Sequence, residues 1–144
     1  MSTLTYVDTN VLVYLSDPAS GRKHQRAREV LSAEEATGGF TISTSTLSEL
    51  YRALTRSKGR PALLSPADAE RTVRRFERMN VALVTVEDLN EAMRRTQAHG
   101  RSYFDALHDA VALRSGCKRF LTEDLPGSRK NAQGVVYENP FAGL

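Results

Sequence analysis

Tryptophan is absent from this 144-residue chain, and cysteine occurs once, at Cys117. A lone thiol closes no internal disulfide, and without a Cys-x-x-Cys partner it suggests neither a zinc nor a redox site, so a reducing compartment is expected. No apolar run reaches the roughly 18 residues a membrane span needs. The stretch Met1 to Leu15 lacks a basic leader and carries Asp8 inside its apolar run, so the expectation is a soluble, cytoplasmic protein with no membrane partner. Neither a Gly-x-Gly-x-x-Gly nor a Walker loop follows the first apolar run, which weighs against a dinucleotide or nucleoside-triphosphate binder. Internal repeats and low-complexity linkers are also missing.

What is present is an ordinary globular composition, 40% hydrophobic and 26% charged, in a chain long enough to bury a core without metal or disulfide staples. One domain over residues 1–144 is expected. Cations outnumber anions by 20 to 17, and 16 of the cations are arginine. They gather at Arg22, Lys23, Arg26 and Arg28, at Arg52, Arg56, Lys58 and Arg60, and at Arg71, Arg74, Arg75 and Arg78. The planar guanidinium fork suits phosphate oxygens, so these groups permit a nucleic-acid partner, although most of them individually are expected on solvated helix faces.

Along the chain, an apolar strand from Leu4 to Val7 stops at Asp8 and leads into a helical pattern from Asn10 to Leu15. Lys23 to Glu35 reads as a helix ended by Gly38-Gly39, and Phe40 to Ser43 as a second strand. Leu47, Leu50, Tyr51 and Leu54 mark an amphipathic helix; Ser65-Pro66 starts another, with a cap and a proline at its first position, running through Val73, Phe76 and Met79. Val81 to Val86 is β-branched and predicts a third strand. A helix from about Glu87 to His99 ends at Gly100, and Ser102 caps a mostly apolar helix through Ser115. Lys118 to Thr122 predicts a fourth strand, Leu125-Pro126-Gly127 a turn, and Gln133 to Tyr137 a last strand. Helices alternating with short apolar strands predict an α/β fold, a three-layer α/β/α sandwich around a short, mainly parallel, Rossmann-like sheet.

In such sheets, ligands bind outside the carboxyl ends of the strands. Asp8 directly follows the first strand, and Thr122, Glu123 and Asp124 end or follow the fourth. Glu49 and Asp105 lie early in helices that leave the same edge. Each acid also has a local use: Thr46 to Glu49 and Ser102 to Asp105 have capping-box spacing, Asp8 can cap the Asn10 helix, and Asp124 can serve a turn. The shared placement is the functional signal. Two carboxylates about 4 Å apart repel by about 4 kcal/mol at an effective dielectric near 20, so converging acids call for a cation. An all-oxygen set selects Mg²⁺ or Mn²⁺ over zinc or copper, and His24, His99 and His108 show no metal-ligand spacing. His108 is expected to be packed or hydrogen-bonded. Asp109, one turn beyond Asp105, either extends the cluster or pairs with an arginine. Thr9 and Asn10 flank Asp8 and suit an orienting role, while Tyr6, Tyr51 and Tyr103 are expected to pack.

Four segments, Tyr6-Val7-Asp8-Thr9-Asn10-Val11-Leu12, Ser48-Glu49-Leu50, Ser102-Tyr103-Phe104-Asp105-Ala106-Leu107 and Thr122-Glu123-Asp124-Leu125, in this order over nearly the whole chain, resemble the PIN-domain ribonucleases. With the ending Val136-Tyr137-Glu138-Asn139-Pro140-Phe141, the closer likeness is to VapC-type toxins of bacterial toxin–antitoxin pairs. That resemblance implies Asp8, Glu49, Asp105 and Asp124 as an acidic metal-site quartet, RNA as substrate, and a cognate antitoxin in a homodimer or toxin–antitoxin hetero-oligomer. Asp124 is favoured over Glu123 because the family pattern places its acid two residues after the threonine or serine.

The expected activity is phosphodiester hydrolysis by an endoribonuclease that uses one or two Mg²⁺ or Mn²⁺ ions, with Thr9, Asn10, Thr122 and Glu123 as supporting groups. A rival is an aspartyl-phosphate phosphatase with Asp8 as nucleophile, although Asn10 stands where its second acid belongs. A second rival is a non-catalytic RNA- or partner-binding module.

Overall fold

A computed structural model describes residues 4–126 and 134–144. Its β-branched and aromatic runs form short strands: β1 (Thr5–Val7), β2 (Thr41–Ser43), β3 (Asn80–Ala82), β4 (Arg119–Leu121) and β5 (Val136–Glu138). Between them run α1 (Thr9–Val13), α2 (Arg22–Ala36), α3 (Thr44–Thr55), α4 (Pro66–Phe76), α5 (Val86–His99) and α6 (Tyr103–Arg114). The five strands lie in the order β3-β2-β1-β4-β5, and every neighbouring pair is parallel. The winding moves from β1 out to β3 and then returns to the other side of β1. The reversal therefore falls between β1 and β4, the position at which open parallel sheets form ligand crevices.

Strand alternation separates two cores. Val7, Ile42 and Leu121 face one way and pack with Val11 and Leu12 of α1, Leu31 of α2, Leu50 and Leu54 of α3, and Phe76 of α4. Tyr6, Phe120 and Tyr137 face the other way; they pair across the register, and their ring centroids lie 5.0 and 5.2 Å apart. They meet Val111 and Ala112 of α6, while Ala92 of α5 packs on Ala106 and Leu107. The result is the expected α/β/α sandwich, with α6 buried from Ala106 to Ala112. Cys117 is a buried member of the second core, with a free thiol. No helix among the described residues is long and apolar enough to cross a membrane.

The local signals hold at several helix starts. Ser65 caps α4 ahead of Pro66, and Ser102 caps α6 by accepting the Asp105 N–H. Gly100, at φ +69°, closes α5 in the left-handed region and turns the chain toward that cap. Three expectations shift. The third strand ends at Ala82, because β3 is an edge strand with one neighbour and Thr85 forms a capping box with Asp88 that starts α5 at Val86. The box expected at Thr46 to Glu49 forms one turn earlier: Ser43 caps α3 and Thr46 reaches back to it, which leaves the Glu49 carboxylate uncommitted to the helix start. The Asn10 to Leu15 helix begins at Thr9 and tightens into a 3-10 turn over Tyr14–Ser16. The last strand is Val136–Glu138; Gln133 and the turn residue Gly127 lie outside the described residues.

Candidate functional site

The reversal point gathers acids from four places in the sequence. Asp8 ends β1 and caps α1; its Oδ1 accepts the Thr9 N–H at 2.7 Å and its Oδ2 accepts the Thr122 hydroxyl at 2.8 Å. Thr122 Oγ1 in turn accepts the Asp124 N–H at 3.0 Å, so one buried threonine just after β4 ties Asp8 to Asp124. Asn10 completes that side: its amide donates to Asp124 Oδ2 at 3.3 Å, and its Oδ1 accepts the Glu123 N–H at 3.4 Å.

Glu49 and Asp105 arrive from the helices. Glu49 Oε2 accepts the Ser45 hydroxyl at 2.8 Å from one turn earlier in α3, and it accepts from His108 Nε2 at 2.7 Å. Asp105 Oδ2 accepts the Ser102 hydroxyl at 2.7 Å, and Arg101 Nη1 stands 3.9 Å away. The expected Ser102 cap is thus formed, with the acid bonding the cap's hydroxyl.

Electrostatics couple Asp8, Glu49 and Asp105 through His108. Burial pushes the Asp8 carboxyl above its ordinary range, the Asp105 charge adds to that rise, and His108, Thr122 and Thr9 only partly oppose it. Burial also works against the His108 imidazolium, but the Glu49 hydrogen bond and the charges of Asp8, Glu49 and Asp105 lift its pKa above the ordinary histidine value. Glu49 is pushed up by burial, yet His108 and Ser45 hold it below the usual carboxylate range. A single imidazole therefore faces three acids. Among the described residues, no lysine or arginine comes within ion-pair distance of Asp8, Glu49 or Asp124.

These residues suit a hard divalent cation by donor chemistry, since the set is carboxylate and hydroxyl oxygen. Thr9 Oγ1, beside Asp8, and Glu123 Oε2, beside Asp124, are buried and have no hydrogen-bond partner among the described residues. Among the same residues, no three His, Cys, Asp or Glu side chains are already gathered closely enough to grip an ion.

Two neighbouring acids are spent elsewhere. Glu123 Oε1 accepts from Lys23 Nζ at 2.8 Å and from the Tyr14 hydroxyl at 3.2 Å, leaving Asp124 as the freer member of that pair. Of the two uses expected for Asp109, the arginine pair is the one formed: Arg101 donates Nε–H and Nη2–H to its two oxygens at 3.0 and 3.2 Å, and the Tyr137 hydroxyl donates at 2.9 Å. Asp109 is a buried anchor of α6 and does not extend the cluster, because its guanidinium partner already neutralises it.

Sequence reasoning missed the links behind the acids. Tyr6 does more than pack: its hydroxyl lies 2.6 Å from His108 Nδ1 and donates to Ser43 Oγ at 3.0 Å. The spacing of His108, three residues after Asp105 on one helix face, was the available signal. Tyr51, expected in the core, is exposed on α3, whereas Tyr103 packs near Ala92 and Leu107 as expected.

The PIN domain family model matches residues 5–126. Several solved structures are similar. The DNA-bound VapBC of Salmonella typhimurium is 19% identical, with 96% of this chain and 99% of that chain covered at a TM-score of 0.67. A toxin–antitoxin complex from Klebsiella pneumoniae is 18% identical, covering 95% of this chain and 98% of that chain at 0.66. VapC20 of Mycobacterium tuberculosis, described as a Sarcin-Ricin loop cleaving toxin, is 20% identical over 81% of this chain and 86% of its own, at 0.61. What is shared at these identities is the fold. No curated protein matches the sequence.

Proposed function

This chain belongs to the PIN-domain family, and on that premise we propose that it is a Mg²⁺- or Mn²⁺-dependent endoribonuclease, the toxin of a toxin–antitoxin pair. The observation that carries this reading is the acid excess at the β1/β4 reversal. Asp8 is buried there with both oxygens hydrogen-bonded and no guanidinium or ammonium to balance it among the described residues. An uncompensated buried carboxylate is costly, and a phosphodiester cannot approach bare acids, so a cation from outside answers both problems.

Asp8, Glu49, Asp105 and Asp124 are the residues that would hold the ion. When bound, such an ion lowers the pKa of a water and offsets charge on the scissile phosphate. The protein's own groups set the stage. Thr9 and Thr122 fix the two oxygens of Asp8, Thr122 and Asn10 fix Asp124, and Ser45 and His108 fix Glu49. Arg52 and Arg56 extend along α3 from Glu49 without a carboxylate partner among the described residues, and they suit the phosphates flanking the cut.

The similar structures support an antitoxin as partner, because two of them are toxin–antitoxin or VapBC complexes, and a cytoplasmic setting belongs to the same reading. The test is cleavage of an RNA panel with Mn²⁺ or Mg²⁺, with EDTA and Asp8→Asn as controls. Metal-dependent cuts that vanish in both controls support the nuclease. RNA binding without cleavage favours a binding module, and a trapped Asp8 adduct with p-nitrophenyl phosphate favours a phosphatase.

A further inference from the structure

Resting on the nuclease reading, we propose that His108, anchored by Tyr6, is the positioning residue that holds the Glu49 carboxylate in place to ligate the metal. Glu49 stands on α3, whose apolar face packs on one side of the sheet, and His108 stands on α6, which covers the other. His108 is 2% exposed and uses both ring nitrogens: Nε2 lies 2.7 Å from Glu49 Oε2, and Nδ1 lies 2.6 Å from the Tyr6 oxygen. Tyr6 is itself fully buried on the central strand, and its hydroxyl reaches Ser43 Oγ at 3.0 Å and Thr46 Oγ1 at 3.3 Å. Ser43 and Thr46 are the capping box of α3. The chain of contacts thus leaves Glu49, passes through α6 and β1, and closes on the start of the helix that carries Glu49.

A closed ring of this kind has a chemical purpose for this acid in particular. Asp8 directly follows β1 and Asp124 lies three residues past β4; both side chains are short, and neighbouring threonine and asparagine groups hold them. Glutamate has one more torsion to order, so a free Glu49 would spend part of its binding energy on losing rotamers. A buried imidazole, wedged against the Tyr6 hydroxyl, holds one rotamer in advance. Partners of ligating carboxylates act in this way, and losing one costs about 10- to 100-fold in metal affinity.

The test separates positioning from mere stability by splitting the two hydrogen bonds of His108. Glutamine places an amide nitrogen near the position of Nε2, and asparagine places one near Nδ1, so His108→Gln keeps the contact to Glu49 and His108→Asn keeps the contact to Tyr6. Calorimetric titration of the full chain with MnCl₂ is compared with metal-free melting curves. His108→Gln is expected to bind Mn²⁺ close to wild type and His108→Asn about 10- to 100-fold more weakly, with similar melting temperatures. In a Glu49→Gln background the asparagine variant should add no further loss, since the interaction it removes is already gone. Equal Mn²⁺ affinities for the two variants, or a loss that persists without Glu49, would overturn the proposal alone. Wild-type protein that takes up no Mn²⁺ would overturn the metal reading of the cluster, and the proposal with it.

Discussion

Asp88 and Asp8 are both buried acids at helix starts, and both accept a nearby backbone N–H. There the likeness ends. Asp88 takes Nε–H and Nη2–H of Arg114 at 2.8 Å each, and although burial acts to raise its pKa, Arg114 and Thr85 hold it below the usual carboxylate range. Glu34 is handled in the same way by Arg119, which also takes Glu138 and so joins α2, β4 and β5. Among the described residues Asp8 has hydroxyl and amide donors only, and its pKa moves up. Among the described residues, arginine therefore neutralises these structural acids while Asp8, at the β1/β4 reversal, has no guanidinium or ammonium partner. In an arginine-rich chain, that selective omission is what the proposed cation site rests on.

Neutralising each acid in turn tests the contrast most severely. Asp8→Asn is expected to reduce metal-dependent RNA cleavage by about 100-fold or more, beyond the effect of losing an outer partner of a ligand. Asp88→Asn should leave the rate per folded molecule unchanged. Substantial cleavage by the Asp8 variant in a gel assay would erase the distinction. A metal titration comes next in size. Saturating Mn²⁺ at about 100 times its Kd should stabilise wild type and Asp88→Asn by about 2.7 kcal/mol, and Asp8→Asn hardly at all. Melting curves that stay flat for wild type would count against the site.

In the absence of metal the two substitutions should act in opposite directions. Asp88→Asn strands a guanidinium that is 42% exposed on its side chain, and the lost charged hydrogen bonds should cost about 2 kcal/mol in urea unfolding. Asp8→Asn removes an unbalanced buried charge, so the metal-free protein should gain stability. The smallest effect is on pH dependence. The folded pKa of Asp88 lies below its unfolded value, so its contribution is complete above about pH 4 and is lost as the pH falls through the folded pKa. Asp88→Asn should flatten that acid limb; an unchanged limb would show that Arg114 does not stabilise the charged form.

Much of this layout was legible in sequence because it depends on local rules. Ser65-Pro66 and Ser102 start the helices they were expected to start, and the apolar run of α6 reports a helix buried for seven consecutive residues. Where several residues can play one local part, the pattern was ambiguous. Ser43 to Thr46 supplies four candidate caps in succession, and only the end of β2 decided that Ser43 takes the role and frees Glu49. The edge position of β3 likewise cut short a run that looked extended to Val86. Tyr6 and His108 stand 102 residues apart, so no local window contained their bond.

Sequence by itself determined that short apolar strands would alternate with capped helices and that Asp8, Glu49, Asp105 and Asp124 would be carried to one end of a parallel sheet, because hydrophobic period and capping chemistry act over a few neighbouring residues. Tertiary structure alone decided which acids keep their charge available. Arg101 closes on Asp109, Arg114 on Asp88 and Lys23 on Glu123, while no basic side chain among the described residues reaches Asp8 or Asp124. Pairing depends on distances through space between side chains far apart in the chain, and Coulomb attraction falls with separation regardless of residue number.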